Sequence, residues 1–354
     1  LESIESKEGK GVRSLVIGPT GERLSRIATI QTASSSAAGQ GGFGAVMGSK
    51  KLKAITVRGT GRVSLAAPET MTALSREIAR KFKEAGRDKL FGFGGDLEAL
   101  NRELAAEGNG RARLVPCTEG CLTPCAGYFQ DVPGAAFKRK WSGSWFCVGG
   151  LSGGIEGSPL GWRLERRAAF EMNVLSNRYG LNQFDLLGGL APWLIACQRE
   201  GTISELTGVA ALRGQMDWNS PVFWAEFLRA AAYREGLGDV LAEGGWMAAQ
   251  TLGAGLDVAR RLYAGWGHVG HWDGHTHPGL SFPHWLVSAL QWISDTRDPF
   301  NSGHGSRWPH GANGDAFRLA GEAREAALDQ IRAIGQRLYG SADAVDPYGG
   351  YGGK

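Results

Sequence analysis

Three closely spaced cysteines are the residues of this sequence best suited to chemistry. Cys117, Cys121 and Cys125 follow a C-x3-C-x3-C spacing in a chain that has only five cysteines. Three helix-breaking residues lie within or beside the segment: Pro116, Gly120 and Pro124. They favour a loop over a continuous helix. Three thiolates in one loop are typical ligands of an iron–sulfur cluster. A zinc site is the rival interpretation, and three unrelated core cysteines are the third, which the clustering disfavours.

The histidines are also confined to one part of the chain. All seven lie between His268 and His310, with five tryptophans in or beside the same stretch. Histidine is the side chain best suited to moving protons near neutral pH. No carboxylate or cysteine accompanies these histidines at the spacing of a catalytic zinc motif on a helix. The stretch therefore predicts a pocket that handles protons rather than a second metal site.

A glycine-rich segment over residues 38–53 precedes a predicted strand over residues 54–58. Bare backbone N–H groups in such a turn can hold phosphate groups, with nearby lysines supplying positive charge. The segment matches neither a P-loop nor a dinucleotide-binding fingerprint. On its own, the pattern is more typical of a turn than of a binding site.

A second glycine-rich loop, over residues 141–157, carries Cys147 and Glu156 close to tryptophans. Such a loop could line a cofactor cavity. Cys147 is either a soft metal ligand or a small buried hydrophobic residue. Further on, apolar spacing predicts a helix from residue 160 to Tyr179 that ends at Gly180, which is a natural C-cap.

Other elements must position these residues. The pattern predicts a buried strand over residues 12–17 and helices at 68–106 with a glycine-rich interruption, 184–199, 220–234, 238–252 and 314–338. Residues 22–32 form either a short helix or a strand in a mixed sheet. At 354 residues, the chain exceeds one typical core. It begins with Leu1, so we expect a fragment or an incomplete chain.

Composition excludes several classes of protein. The net charge is only +4, so there is no basic field for nucleic acid. No apolar run is long enough to span a bilayer, and five cysteines do not form a secreted disulfide framework. We therefore predict no membrane insertion and a cytoplasmic location. The 55 glycines, about twice the ordinary usage, predict many tight turns and close approaches of the backbone to a ligand.

Two stretches carry a resemblance to a known family. Residues 17–22 (IGPTGE) and 41–55 (GGFGAVMGSKKLKAI) resemble the amino-terminal domain of the aldehyde:ferredoxin oxidoreductase family, which are tungsten enzymes with a bis-pterin cofactor. The resemblance extends over nearly the whole chain. It implies an α+β fold: a β-rich, truncated amino-terminal pterin-binding domain over residues 1–62, then mostly helical cluster- and pterin-binding domains over residues 63–354.

The resemblance also implies roles for individual residues. The second stretch, with the adjoining Gln40, would approach the pterin phosphates and their magnesium ion, through Gln40, Gly41, Gly42, Gly44 and Lys50. The family's D-x-x-G-L-D pterin motif corresponds to residues 177–182, with both aspartates replaced by asparagine; its members are Asn177, Gly180, Leu181 and Asn182. Family members often have arginine at the position of Gln40.

Further roles concern the metals. The three clustered cysteines would bind a [4Fe–4S] cluster, although the first gap is one residue longer than in the family and the fourth cysteine lies beyond this chain. Cys147 would face the tungsten. Near the metal we expect the catalytic residues Glu156 and Arg297. The catalytic histidine would be His304 or, as second choice, His268.

The implied function is redox chemistry at tungsten or molybdenum, with electrons passing through the pterin to the cluster. Two chemistries compete: reduction of an aromatic acyl-CoA, as in class II benzoyl-CoA reductases, and oxidation of aldehydes to carboxylic acids. The longer cysteine spacing, Cys147 and the tryptophans favour the first. A hypothesis of another class is a non-catalytic, cluster-carrying electron-transfer subunit. Expected partners are a small-molecule substrate, a ferredoxin or iron–sulfur subunit, and further copies in an oligomer.

Overall fold

The computed structural model describes residues 2–9, 11–32, 37–61, 64–86, 90–91, 95–116, 126–145, 164–203 and 216–262, with isolated positions from 326 to 340. The chain divides into two compact units, residues 1–252 and 253–354. The first unit combines helices with small antiparallel sheets, and most of its longer stretch after residue 165 is helical. The predicted α+β class is confirmed, whereas the predicted domain boundary at residue 62 stays a prediction.

The first sheet has four strands in the order β3-β2-β1-β4. Its strands are β1 (Val12–Ile17), β2 (Ile30–Thr32), β3 (Ala37–Ala38) and β4 (Ala54–Arg58). β1 lies in the middle and pairs antiparallel with both β2 and β4. Val12, Ser14 and Ile17 of β1 are buried, which confirms the predicted strand. Three short helices accompany the sheet: α1 (Glu2–Glu8), α2 (Pro19–Glu22) and α3 (Phe43–Ser49).

The predicted helix over residues 68–106 is two helices, α4 (Pro68–Glu84) and α5 (Leu97–Gly108), separated by the two-residue strands β5 (Leu90–Phe91) and β6 (Gly95–Asp96). α5 begins where the side chain of Asp96 accepts a hydrogen bond from the backbone N–H of Glu98, an N-cap that satisfies a free helix donor. Leu100 and Leu104 of α5 are buried. α4 has no buried residue.

A three-stranded antiparallel sheet follows, in the order β7-β8-β9. Its strands are β7 (Arg111–Val115), β8 (Ala126–Pro133) and β9 (Lys140–Trp145). Phe129 of β8 and Trp141 of β9 are almost completely buried, and the ring of Phe129 packs on Phe170 with centroids 4.8 Å apart. This aromatic contact joins the sheet to the helical part of the unit.

The helical part contains α6 (Arg166–Tyr179), α7 (Gln183–Asp185), a π-helical turn (Leu186–Leu190), α8 (Ala191–Arg199), α9 (Pro221–Tyr233), α10 (Gly238–Leu241) and α11 (Gly245–Leu252). α6 packs against both α9 and β9. Its residues from Ala168 to Ser176 are all buried. α6 is therefore the central helix of this part.

Local signals explain the ends of these helices. α6 ends at Gly180, which has φ 76°, and glycine adopts this left-handed conformation without strain. α9 begins after Ser220, whose hydroxyl accepts a hydrogen bond from Phe223 N, with Pro221 in the first turn. The helix predicted over 220–234 is thus confirmed. The helix predicted from residue 160 to Tyr179 has the predicted end, but α6 begins at Arg166. The helix predicted over 238–252 is two short ones.

In the second unit, the structure describes α12 (Leu256–Leu262) and isolated helical positions. Most of the helix predicted over 314–338 lies outside the described residues. Among the helices that the structure describes, none is long and apolar enough to cross a membrane.

Candidate functional site

Residues 179–182 (the post-helix loop), which begin at the last residue of α6, form backbone hydrogen bonds with residues 18–29 (the linking segment). Ala28 forms an antiparallel bridge with Leu181. Asn182 N donates to Ile27 O at 2.9 Å, and Thr29 N donates to Gly180 O at 2.8 Å. Part of the predicted pterin motif is therefore held by main-chain contacts to the segment that connects β1 and β2.

The start of the linking segment approaches the same loop even more closely. The hydroxyl of Thr20 donates to Tyr179 O at 2.7 Å. A Cβ atom built on Gly18 would lie 2.2 Å from Tyr179 O and 2.8 Å from Gly180 N, distances that no side chain tolerates against rigid backbone. Gly18 is therefore required for the contact between the two backbones, and not for an unusual φ value.

The loop that connects α10 and α11 also contacts the linking segment. Ser25 Oγ donates to Ala242 O at 2.8 Å, and Arg26 N donates to the same carbonyl at 3.0 Å. The Arg26 side chain binds Glu243 at 2.8 Å. Arg234 donates to main-chain carbonyls of Arg23 and Leu24. Contacts on two sides thus fix the position of the linking segment.

The glycine-rich segment packs against the linking segment as well. Gly44 N donates to Ala28 O at 3.1 Å. Added Cβ atoms would lie 2.7 Å from Arg26 O at Gly42, 2.6 Å from Thr29 O at Gly44 and 2.0 Å from Gly21 O at Gly48. These glycines allow α3 to approach neighbouring backbone. Their packing role was missed because the sequence pattern suggested a phosphate-binding turn.

The outer part of this glycine-rich segment reaches Asn182. A Cβ built on Gly39 would lie 3.4 Å from Asn182 Oδ1 and 3.9 Å from its Cγ. Gly41 is exposed and has φ 80°, and the three-residue turn Gln40–Gly42 leads into α3. We call this approach of Gly39 to Asn182 the Gly39–Asn182 junction. It brings together the two segments that were predicted to bind the pterin.

Polar side chains near the junction form two hydrogen-bonded groups. Asn182 is 2% exposed, and its Nδ2 donates to Asp185 Oδ2 at 2.6 Å. Gln183 Nε2 donates to Asn173 Oδ1 at 2.9 Å and to Asn177 Oδ1 at 3.3 Å. Each asparagine of the predicted motif therefore has a side-chain hydrogen bond to a neighbouring polar residue.

Burial raises the pKa of Asp185 from 3.8 to about 6, and the hydrogen bond from Asn182 opposes that rise. Sequence reasoning missed this residue. An aspartate three positions after the motif carries no local signal of its role, because only the folded chain shows that it is partly buried and bonded to Asn182.

Asp185 predicts a pH-dependent stability. Its carboxyl group binds a proton more tightly when folded, so its contribution is fully present below pH 3.8 and is lost as the pH rises towards 6. When the pH is raised from 4.5 to 7.5, the free energy of unfolding of the wild type should fall by about 2 kcal/mol more than that of Asp185→Asn. Urea denaturation at the two pH values measures this difference. Glu69→Gln, on the exposed helix α4, is the control. Parallel pH dependences of wild type and Asp185→Asn would refute the assignment.

The predicted metal-site residues lie outside the described part of the chain. They are Cys117, Cys121, Cys125, Cys147, Glu156, His268, Arg297 and His304. Val115 and Ala126, on either side of the cysteine segment, are paired neighbours in β7 and β8. Lys50 is exposed at the end of α3. Among described residues, there is no group of three histidines, cysteines or acids that could hold a metal ion.

The fold resembles one solved structure over most of the chain. The active-site complex BamBC of benzoyl coenzyme A reductase, in complex with 1,5-dienoyl-CoA, matches 94% of this chain and 57% of that chain with a TM-score of 0.57 and 17% identity. The fold therefore defines the class: an α+β protein that shares its architecture with this structure.

Family models identify the family. Residues 1–59 match the model "Aldehyde ferredoxin oxidoreductase, N-terminal domain", and residues 152–276 match "Aldehyde ferredoxin oxidoreductase, domains 2 & 3". Together they account for just over half of the chain. The chain belongs to the aldehyde ferredoxin oxidoreductase family, as the resemblance predicted.

Relatives agree with this assignment. The tungsten-containing aldehyde ferredoxin oxidoreductase of Pyrococcus abyssi is 29% identical over 270 residues, which are 69% of this chain and 42% of the relative. An aliphatic sulfonate oxidoreductase, WOR-like subunit, from Pyrococcus furiosus is 26% identical over 73% of this chain and 45% of that protein. The chain thus spans less than half the length of these relatives.

Proposed function

We propose that this chain is part of a tungstopterin-dependent oxidoreductase. The observation that carries the proposal is the Gly39–Asn182 junction. There a Cβ built on Gly39 would lie 3.4 Å from the side-chain oxygen Oδ1 of the buried Asn182. Backbone without a side chain beside a polar group that can accept or donate hydrogen bonds suits a flat, polar ring. The meeting of the two segments that the resemblance assigns to the pterin supports the proposal.

The residues of this chain would hold and orient the cofactor. Asn182 and Asn177 would contact pterin ring atoms through their amides, and Gly41 offers an exposed backbone position on the side of the phosphates. Lys50 would supply positive charge near them, with a magnesium ion as the expected bridge. The bound cofactor supplies two-electron chemistry at the metal, and the protein supplies binding, orientation and exclusion of water.

For electron transfer, we propose that Cys117, Cys121 and Cys125 bind a [4Fe–4S] cluster. Support comes from thiolate chemistry and from the paired residues Val115 and Ala126, which hold the two ends of the cysteine segment side by side. A ferredoxin is the proposed electron partner, following the names of the relatives. A second subunit is the alternative, because the matched structure is a two-component complex. A cytoplasmic location stays a prediction.

For the substrate, we propose an aldehyde first. The tungsten-containing relatives that match with 28–29% identity are described as aldehyde ferredoxin oxidoreductases. The aromatic acyl-CoA that the sequence favoured is the second candidate, and the match of 94% of the chain to the benzoyl coenzyme A reductase complex is the observation in its favour. Anaerobic assays with an aldehyde plus a viologen dye, and with benzoyl-CoA plus a low-potential reductant, distinguish the two.

Elemental analysis of the anaerobically purified, full-length protein tests the proposal. We expect tungsten or molybdenum together with about four irons per chain. Cys121→Ser should lower the iron content while the pterin content is retained, because the cluster ligands and the Gly39–Asn182 junction belong to different segments. Cys197→Ser, in buried helix α8, is the matched cysteine control and should keep its iron.

Other metal contents would reject the proposal in distinct ways. Iron without tungsten or molybdenum would favour the non-catalytic, cluster-carrying subunit. Zinc alone would refute both the cluster and the redox function.

A further inference from the structure

The three-stranded sheet β7-β8-β9 has two faces of different character, because side chains alternate between the faces of a strand. The face that packs towards the helical part carries buried apolar residues: Ala112, Phe129, Trp141 and Trp145. The opposite face carries polar and positively charged residues: Arg111, Arg113, Tyr128, Gln130 and Lys140. We call this second face the cationic face. Its three basic side chains are all exposed.

The positive charges of the cationic face are not neutralised within the described part of the chain. Arg111 Nε donates to the uncharged side chain of Gln130, at 3.0 Å from Oε1. The guanidinium carbon of Arg113 lies 5.0 Å from the ring centroid of Tyr128, which is a cation–π contact. Lys140 donates to a main-chain carbonyl group. None of the three forms an ion pair with a described carboxylate.

The free edge of this sheet is closed to a further strand. β7 is the edge strand, and Asn101 of α5 binds the main chain of Ala112 on both sides. Asn101 Nδ2 donates to Ala112 O at 2.9 Å, and Asn101 Oδ1 accepts from Ala112 N at 2.6 Å. Unpaired main-chain groups at an edge are what an added strand would bind. A partner protein would therefore contact the side chains of the cationic face.

The cationic face adjoins the segment that carries the three clustered cysteines. β7 ends at Val115, which is paired with Ala126 at the start of β8, and the cysteine segment connects these two residues. Arg113 precedes Val115 by two residues, which is about 7 Å along a strand. Positive charge thus lies close to the point where the cysteine segment leaves the sheet.

We propose that the cationic face is the docking surface for the electron partner, and that this partner is an acidic ferredoxin. Its carboxylates would bind Arg111, Arg113 and Lys140. The inference rests on the proposed function, because it takes the three clustered cysteines as ligands of the cluster that exchanges electrons with the partner. Complementary charge accelerates association and orients the two proteins, and small interfaces are typical of transient electron-transfer complexes.

Charge reversal tests the inference. Full-length, anaerobically purified wild type and the double variant Arg111→Glu/Arg113→Glu are titrated with an oxidised acidic ferredoxin, and binding is measured by biolayer interferometry. At an ionic strength of about 0.01 M, where screening is weak, the Kd of the double variant should be at least about tenfold higher than that of the wild type. At about 1 M salt the difference should fall below about twofold.

The matched control is Arg76→Glu/Lys83→Glu, which makes the same change of charge at exposed positions of helix α4. Its Kd for the ferredoxin should stay within about twofold of wild type at each ionic strength, because exposed charges beyond a Debye length are screened.

Steady-state kinetics give a second readout. A viologen dye is a small molecule that needs no docked protein, so kcat with the dye should be unchanged in Arg111→Glu/Arg113→Glu. The KM for ferredoxin should rise about tenfold, in parallel with the Kd. Unchanged dye activity also shows that the variant is folded.

Three results would overturn the inference: equal ferredoxin affinities of wild type and double variant at low ionic strength, a loss of affinity that the α4 control shares, or a loss that persists at high salt. Competition between coenzyme A and ferredoxin, lost in the double variant, would assign the cationic face to a phosphate-bearing ligand instead.

Failure of the proposed function gives a different result. Wild-type protein without tungsten or molybdenum, and without activity towards the dye, would reject that function. The binding measurement does not depend on activity, so its response to salt and charge reversal would still decide whether the cationic face binds an acidic ferredoxin.

Discussion

Replacing Glu171 with glutamine should lower the free energy of unfolding by on the order of 4 kcal/mol. Glu171 is completely buried in α6. Its Oε2 accepts hydrogen bonds from Ala135 N at 2.6 Å and Ala136 N at 2.7 Å, and its Oε1 accepts from Phe137 N at 3.1 Å and Trp141 Nε1 at 2.6 Å. Each oxygen therefore serves two donors.

The loss should be large because glutamine cannot reproduce this pattern. Whichever way its amide is turned, the NH₂ group faces two N–H donors, which are left buried without an acceptor. The turn between β8 and β9 would then lose its attachment to α6. Urea denaturation followed by tryptophan fluorescence measures the change.

The matched control is Glu107→Gln, at an exposed position in helix α5. Exposed substitutions of this kind typically change stability by less than about 0.5 kcal/mol. A loss at Glu171 no larger than the loss at Glu107 would show that the four hydrogen bonds contribute little to stability.

Replacing Gly18 with alanine should lower the free energy of unfolding by about 3 kcal/mol and remove most of the bound pterin. Gly18 has φ −86° and ψ −175°, which alanine adopts freely. The new methyl carbon would nevertheless lie 2.2 Å from Tyr179 O. Because both partners are backbone, the linking segment must move away from the post-helix loop.

Gly59→Ala is the matched control, since a Cβ at Gly59 meets no atom within 4 Å. It should leave both stability and pterin content near wild-type values. Urea denaturation and pterin content are measured on both variants. Equal effects of the two substitutions would contradict the close approach, and a destabilised Gly18→Ala protein with full pterin content would separate the packing from the cofactor site.

Patterns within a few residues were read correctly from the sequence. The short apolar run over residues 12–17 predicted β1, the amphipathic pattern over residues 220–234 predicted α9, and Gly180 predicted the end of α6. Each of these signals acts through hydrogen bonds or φ values of neighbouring residues, so local sequence is sufficient. The glycine-rich segment was read less well. Glycine is a poor helix former, yet α3 forms there because tertiary packing outweighs propensity.

The sequence by itself determined the family, through motifs in residues 17–22, 41–55 and 177–182 that suit particular backbone turns and polar contacts. Only the tertiary structure decided which of these residues meet. In the folded chain, Gly42, Gly44 and Gly48 pack against neighbouring backbone, and Gly39 lies against Asn182. Asp185 accepts a hydrogen bond from the Asn182 amide. The physical reason is that burial and close approach depend on residues distant in the chain, and a local pattern carries no information about them.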